Sequence, residues 1–283
     1  MRDKAGGILI TGGTGFLGRA IARQLLANKA DESRVCLYSR SEHAQAQAFE
    51  ELGRHPRLRM FVGDVRDRER LYWAMRSVDR VIHAAALKRI EVGHYNPTEM
   101  AKTNIDGAMN VVDAALAAPV RRAVLVSTDK AFQPVSPYGT SKAMAEAIFQ
   151  ASNNTAGAGG TTFGICRYGN VAGSTGSVIP IWRARLAAGE PCLMTDPECT
   201  RFWMTQAEAV DFVLETLRGT EQLRIPTLPA FALSDLAKAM GAITKVTGLE
   251  RWEKKHESLQ EGQSSDRARR MSVADLQEAL THV

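Results

Sequence analysis

Eight residues near the start of the chain constrain its fold more than any others. Thr11-Gly12-Gly13-Thr14-Gly15-Phe16-Leu17-Gly18 follows an apolar run at 8–11 that reads as a β-strand, and it opens a stretch of helical periodicity at 16–28. Glycines at this spacing let the chain turn tightly, let backbone approach a pyrophosphate closely, and let the helix pack on the strand. The helix N-terminus adds free N–H groups and a partial positive charge. Alone, a glycine triplet is only a glycine-rich turn. Between a strand and a helix it implies a dinucleotide site, with Gly12, Thr14, Gly15, Phe16, Leu17 and Gly18 around the phosphates.

The alternation that begins there continues. Strand-like runs at 35–38, 58–62, 80–83, 123–127 and 162–167 are separated by helical stretches at 42–53, 68–75, 98–117 and 138–152. Strands spaced by helices mean right-handed βαβ crossovers and a parallel sheet. The expectation is an α/β, doubly wound Rossmann fold. After Arg167 the rhythm changes to loops rich in Gly, Pro and Thr, with helices expected at 178–188, 206–218, 234–247 and 273–280 and the segment 191–200 read as a loop. Residues 1–167 thus read as an NADP-binding core. Residues 168–283 read as mainly a substrate-binding lobe with late core elements, placed where a doubly wound sheet binds ligands. Residues 154–161 read as a surface turn.

Composition narrows the function classes. With 283 residues, 45% of them apolar or aromatic and 24% charged, the chain can bury a substantial core. Its apolar runs, such as 78–87, are interrupted by Asp79, Arg80 and His83, far short of the roughly 18 residues of a membrane span. The strand-and-glycine pattern begins within ten residues of the start, leaving no room for a signal peptide, so a cytoplasmic protein is expected. Cys36, Cys166, Cys192 and Cys199 lack paired metal-ligand spacing, so reduced thiols and no metal are expected. The net charge of +5 comes partly from the Arg/Lys-rich stretch 251–270, which has no interleaved aromatic platform. A phosphorylated small molecule suits that charge better than nucleic acid.

The end of the second strand discriminates between cofactors. A carboxylate there would hold the ribose 2′-hydroxyl of NAD, but the chain has Ser39-Arg40, a hydroxyl and a guanidinium that suit the 2′-phosphate of NADP. Asp64-Val65 after the third strand is placed for the adenine. Ala84 and Ala85 after the fourth are small enough for backbone to meet the cofactor.

Two further segments carry chemistry. In Tyr138-Gly139-Thr140-Ser141-Lys142 the spacing of four puts phenol and amine on one helix face. An ammonium there can hold the nicotinamide ribose and lower the phenol's pKa, making Tyr138 an acid/base for a hydroxyl being oxidised. Just upstream, Ser127-Thr128-Asp129-Lys130 ends the fifth strand, setting an acid beside an amine where this fold does its chemistry. The plain alternative is a helix cap followed by a solvated lysine.

With His83-Ala84-Ala85-Ala86-Leu87-Lys88, Arg167-Tyr168-Gly169-Asn170-Val171 and Thr200-Arg201-Phe202-Trp203, these segments resemble the extended short-chain dehydrogenase/reductase superfamily. Within it the chain is most similar to the soluble, 5-inverting UDP-N-acetylglucosamine 4,6-dehydratases of pseudaminic acid biosynthesis. The resemblance implies tightly bound, recycled NADP, a UDP-N-acetylglucosamine substrate and a homo-oligomer. It implies that Tyr138, tuned by Lys142, takes the proton of the sugar 4-hydroxyl as the C4 hydride leaves, with Thr128 orienting the 4-oxygen. Lys130, kept partly neutral by burial and by Lys142, then removes the C5 proton, and protonated Asp129 donates to the departing 6-hydroxyl. Hydride returns to C6 and Lys130 reprotonates C5, from the opposite face if configuration inverts. Lys88, Tyr168, Asn170 and Arg201 match positions lining the sugar and diphosphate pocket, although Lys88 or Arg201 could equally be a structural ion-pair partner. Asn104 is expected to serve as scaffold.

The resemblance breaks down near the C-terminus. Family members carry Arg-Pro-Gly-Glu-Lys-x-His-Glu where this chain has Glu250-Arg251-Trp252-Glu253-Lys254-Lys255-His256-Glu257, and Ser264-Ser265-Asp266 follows almost at once. The lobe is therefore shortened. A UDP-sugar 4-epimerase or reductase would need Tyr138 and Lys142 but have little use for Lys130; a non-catalytic NADP-binding protein would have no need of Tyr138, Lys142, Asp129 and Lys130 all together.

Overall fold

The computed structural model describes residues 6–283. Residues 1–5, part of the segment judged too short for a leader, lie outside the described residues. β1 (Gly7–Thr11) passes through the glycine loop into α1 (Phe16–Ala27), followed by β2 (Arg34–Ser39), α2 (Glu42–Glu51), β3 (Leu58–Val62), α3 (Arg68–Met75) and β4 (Arg80–His83). Then come α4 (Ile90–Tyr95), α5 (Pro97–Ala101), a π-helical turn at Lys102–Asp106, α6 (Gly107–Ala117) and β5 (Arg122–Val126). A 3-10 turn at Asp129–Ala131 leads to α7 (Pro137–Ala156) and β6 (Thr162–Cys166). The rest comprises α8 (Val178–Ala187), β7 (Cys192–Met194), β8 (Thr200–Phe202), α9 (Gln206–Arg218) and β9 (Leu223–Arg224). It ends with β10 (Ala230–Ala232), α10 (Leu233–Ala239), β11 (Thr244–Val246), β12 (Ser258–Gln260), β13 (Gln263–Ser264) and α11 (Val273–Leu280).

Seven parallel strands form the central sheet in the order β3-β2-β1-β4-β5-β6-β9. This is the doubly wound fold expected. All five residues of β1 are buried, the pattern of a parallel strand covered on both faces. Its period of two then sorts them: Ile8 and Ile10 join one core with α1 and α9, while Leu9 joins another beneath α3, α6 and α7. Val210, Val213, Leu214 and Leu217 give α9 its apolar stripe, and Thr205 with Glu208 forms a capping box that starts it. Chain order reverses between β1 and β4, so a crevice opens at the carboxyl ends of these strands. A third core around Trp182, Met194, Trp203, Phe231 and Leu276 supports the lobe beside that crevice. No described helix is long and apolar enough to cross a membrane. All four cysteines are buried and unbonded.

Three expectations about elements are corrected. The single helix at 98–117 is α5, a π turn and α6, with α4 ahead of it. Asn104 in that turn accepts from Leu87 N–H at 2.8 Å and donates to Leu87 O and Ser141 Oγ, both at 2.9 Å. These tertiary bonds hold the bulge, which helical periodicity does not reveal. The helix expected at 234–247 stops early: α10 ends at Ala239, Gly241 turns with φ +63°, and β11 pairs with β7. Within the segment read as a loop at 191–200, Cys192–Met194 and Thr200 enter short strands, β7 against β11 and β8 against β10.

Candidate active site

β5 delivers Ser127 to the carboxyl edge of the sheet, and the chain turns sharply there because the Thr128 hydroxyl accepts from Lys130 N–H at 3.4 Å. Asp129 N–H donates to Tyr168 O at 2.9 Å, which fastens the turn to the segment leaving β6. Ser136 caps α7 and Pro137 occupies its first turn, so Tyr138 and Lys142 lie one helical turn apart beside that edge. Below them Glu146 accepts from Ser127 Oγ at 2.5 Å and from Nε and Nη2 of Arg167, at 3.0 and 2.5 Å. This buried pair locks α7 to β5 and β6.

Asp129 is fully buried. Its Oδ1 accepts from Thr128 Oγ1 at 2.9 Å and from Lys130 Nζ at 3.2 Å, while Oδ2 has no hydrogen-bond partner among the described residues. Burial pushes its pKa up, the Lys130 charge pulls it down and Glu257 pushes it up again; the net direction is upward. A protonated Asp129 is what donation to a leaving hydroxyl needs.

Lys130 departs from expectation. The expectation is an amine kept partly neutral by burial and Lys142. Burial does oppose its charge, but Asp129 and Glu257, at 3.2 and 3.1 Å, outweigh it and raise the pKa above that of a free lysine. The resting side chain is an ammonium between two carboxylates. Lys142 also differs: its Nζ donates to Val126 O at 2.7 Å, and burial lowers its pKa to about 8. Burial pushes the Tyr138 phenol up to about 12, and the groups pulling it down are Lys130 and the Thr128 hydroxyl.

The remaining expected residues fall into three groups. Gly12 N–H donates to Tyr38 O, and Ala84 and Ala85 N–H donate to Thr11 O and Oγ1, so loop and β4 end are fixed together. Ser39 Oγ accepts from Gln45 at 3.1 Å, and the exposed Arg40 guanidinium sits 4.0 Å from Asp64. The Asp64 carboxylate is held by Arg66 at 2.8 Å, and Val65 is buried among α3 and α6. Tyr168 is buried on Phe212, and Asn170 Oδ1 is buried without a partner. Lys88 is exposed in the loop after β4, next to Arg89. Arg201, expected to meet a diphosphate, is buried and already bonded to Thr200 O, Lys255 O and Glu253, which is the structural ion-pair alternative.

The segment after β11 brings residues that the motifs had not singled out. Lys254 Nζ donates to Phe132 O, Glu257 reaches Lys130, and Trp252 packs against His94 of α4 with the rings tilted by 42° and centroids 4.1 Å apart. With Ile90, Val135 and Ser136 they line a small cavity against Lys130. A larger surface depression lined by Asn28, Asp31, Glu32 and Arg80 lies at the opposite end of the strands and holds none of these groups.

The crevice fits a dinucleotide. α1 has no side-chain cap on Gly15 and no acidic residue in its first turn, so its N–H groups remain for an anion, whereas α2, α3, α7, α9 and α11 are all capped by side chains. A Cβ on Gly18 would lie 2.6 Å from Gly12 O and 2.7 Å from Gly13 Cα; its absence lets α1 begin directly against the loop.

A parallel sheet reversing at an uncapped glycine loop, with Tyr138, Lys142, Asp129 and Lys130 at its central edge, defines a Rossmann-fold protein of the short-chain dehydrogenase/reductase class. The sequence pattern of one family, described as polysaccharide biosynthesis protein, matches residues 8–276, and the chain belongs to that family. It is 44% identical over 258 residues, 89% of this chain and 76% of the relative, to a UDP-N-acetylglucosamine 4,6-dehydratase (inverting) of Campylobacter jejuni. A UDP-glucose 4-epimerase of Rickettsia akari is 36% identical over 262 residues, with the same coverage. Among solved structures, Pen from Bacillus thuringiensis superposes with a TM-score of 0.92 over the whole of both chains at 30% identity. A dTDP-glucose 4,6-dehydratase of Streptomyces venezuelae with NAD and TYD bound shares the fold, with a TM-score of 0.83 over 97% of this chain and 95% of that one at 23% identity.

Proposed function

We propose that this protein is a nucleotide-sugar 4,6-dehydratase that uses NADP, acts on UDP-N-acetylglucosamine and inverts C5. The observation that carries the reading is the Asp129–Lys130 pair, joined at 3.2 Å at the tip of β5 and beside Tyr138. The bound nicotinamide supplies a hydride acceptor for C4 and a donor for C6. Tyr138 serves as the proton acceptor for the sugar 4-hydroxyl, with Thr128 orienting that oxygen. Once C4 is a ketone, the C5 hydrogen is acidic.

Elimination then needs an amine and an acid together. Moving one proton from Lys130 Nζ to Asp129 Oδ1, across the hydrogen bond they already share, yields both. Neutral Lys130 takes the C5 proton as Asp129 donates to the 6-hydroxyl, and water departs. Lys130, again an ammonium, delivers a proton to the opposite face of C5, and the proton that Tyr138 took from the 4-hydroxyl is released to solvent as the pair takes one back, which resets the site. Asn170 and Lys88 are proposed to contact the sugar and diphosphate, and Lys142 to turn from Val126 O to the nicotinamide ribose when cofactor is bound. Incubation with UDP-N-acetylglucosamine should give a product lighter by one water. A product of unchanged mass would favour a 4-epimerase.

NADP is preferred because Ser39-Arg40 stands where NAD-binding chains of this fold place a carboxylate, and Arg40 is exposed with, among the described residues, the 4.0 Å approach of Asp64 as its one ion-pair partner. Arg40→Glu is expected to weaken NADP binding by about tenfold or more while sparing NAD. Titration of the cofactor-free protein with each nucleotide checks it. Equal losses for both cofactors would remove Arg40 from a role in selection.

A further inference from the structure

Among the charged groups around Lys130, Glu257 is the carboxylate in contact with it that the motifs leave without a role. It lies between β11 and β12, and its residue is 2% exposed. Its placement is built, not incidental. Glu257 N–H donates to Ser265 Oγ at 2.9 Å, Ser265 N–H donates back to Glu257 O at 2.8 Å, and Ser265 Oγ is 2.6 Å from Thr200 Oγ1 on β8. His256 Nδ1 lies 2.8 Å from the same Thr200 hydroxyl. This clasp aims the carboxylate at the 3-10 turn. Oε1 is 3.1 Å from Lys130 Nζ, and Oε2 has no hydrogen-bond partner among the described residues, with Lys254 Nζ 3.7 Å away. A carboxylate so deeply buried is expensive unless it serves a nearby cation.

We propose that Glu257 is a positioning residue for the elimination step: it holds the Lys130 ammonium opposite Asp129 and governs the range of pH over which that step runs. The inference rests on the dehydratase reading. Elimination by that reading requires that Asp129 and Lys130 share one proton. With two protons the amine is blocked, and with none the acid is missing, so the rate follows a bell-shaped profile. Four other ionisable groups face the pair: Glu257 and Lys254 from the segment after β11, Arg201 from β8 and Tyr138 from α7. Of these, Glu257 is the buried anion in contact with Lys130. Its charge raises the proton affinity of both members, so both limbs of the bell lie at higher pH with it than without it. Arg201 and Lys254 act in the opposite sense on Lys130 or Asp129 and remain when Glu257 is changed.

The test compares wild type, Glu257→Gln and Glu257→Asp in kcat and kcat/KM for loss of water from UDP-N-acetylglucosamine across pH. Glu257→Gln keeps the shape but removes the charge, and its optimum is expected to move to lower pH by about one unit. Its kcat at that optimum should fall about tenfold with little change in KM, because Nζ loses one of its two anchors. Glu257→Asp keeps the charge at a longer reach, so its profile should lie between the two. A Glu257→Gln profile that superimposes on wild type after scaling, or an Asp variant no closer to wild type than the Gln variant, overturns the inference. Should Glu257→Gln not fold, Glu257→Asp against wild type still reads the direction of the shift. Absence of water loss from the wild type itself would instead sink the dehydratase reading, and this inference with it.

Discussion

Lys130→Ala should lower the rate of water loss by about a thousandfold or more, the scale on which a positioned acid–base group contributes. The loss comes from two sources. The C5 proton has no acceptor, and Asp129 and Glu257 are left as two buried carboxylates with no cation between them, each of which then holds its proton more tightly. Cofactor affinity should be untouched, since Lys130 lies at the tip of β5 and the phosphate loop is between β1 and α1. Turnover and cofactor titration on the same preparation separate the two. A variant that keeps more than a tenth of the wild-type rate would show that another group removes the C5 proton. A variant that loses the cofactor as well would show that the lysine is structural.

The second large effect is expected at the other end of the crevice. Gly18→Val would drive its branched side chain into backbone, since even a Cβ would lie 2.6 Å from Gly12 O and 2.8 Å from Gly13 C. Neither neighbour is a flexible side chain that can swing aside. Gly12 is bonded through its N–H to Tyr38 O, and Gly15 N–H to Gly12 O. The loop must therefore open or α1 must retreat from β1. Either response costs about 3 kcal/mol of stability, at the upper end of overpacking substitutions, and displaces the helix N-terminus from the phosphates. Denaturant unfolding and cofactor titration should both register the change. A variant with wild-type stability and cofactor affinity would mean that the loop is not the phosphate cradle.

The sheet was legible because β1, β2, β4, β5 and β6 are apolar on both faces and each is followed by a helix, a pattern that few folds share. The lobe was less so. β7, β8, β10 and β11 are three residues each, too short for any period to show, and they are fixed by partners distant in sequence. The break at Lys102–Asp106 likewise depends on Asn104 finding Leu87 and Ser141. At the site, Thr128, Asp129, Lys130, Tyr138 and Lys142 could be picked out because they sit in two compact motifs. Their charge states could not. Proximity in sequence suggested that Lys142 governs Lys130, whereas the groups that keep it charged are Asp129 beside it and Glu257, the second of which only the fold brings in. Arg201 shows the same limit: its residue type suits a diphosphate, and its bonds to Thr200, Lys255 and Glu253 appear only in three dimensions.

The central claim is that one proton, shared between a lysine and an aspartate at the end of β5, drives removal and return of the hydrogen on C5. Carrying out the reaction with UDP-N-acetylglucosamine in deuterated water and recording the NMR spectrum of the product tests this most directly. The account predicts a 6-deoxy-4-keto sugar with solvent deuterium at C5 and none introduced at C6, where the hydrogen comes from C4. A dehydrated product that keeps its original hydrogen at C5, or no dehydrated product at all, would contradict it.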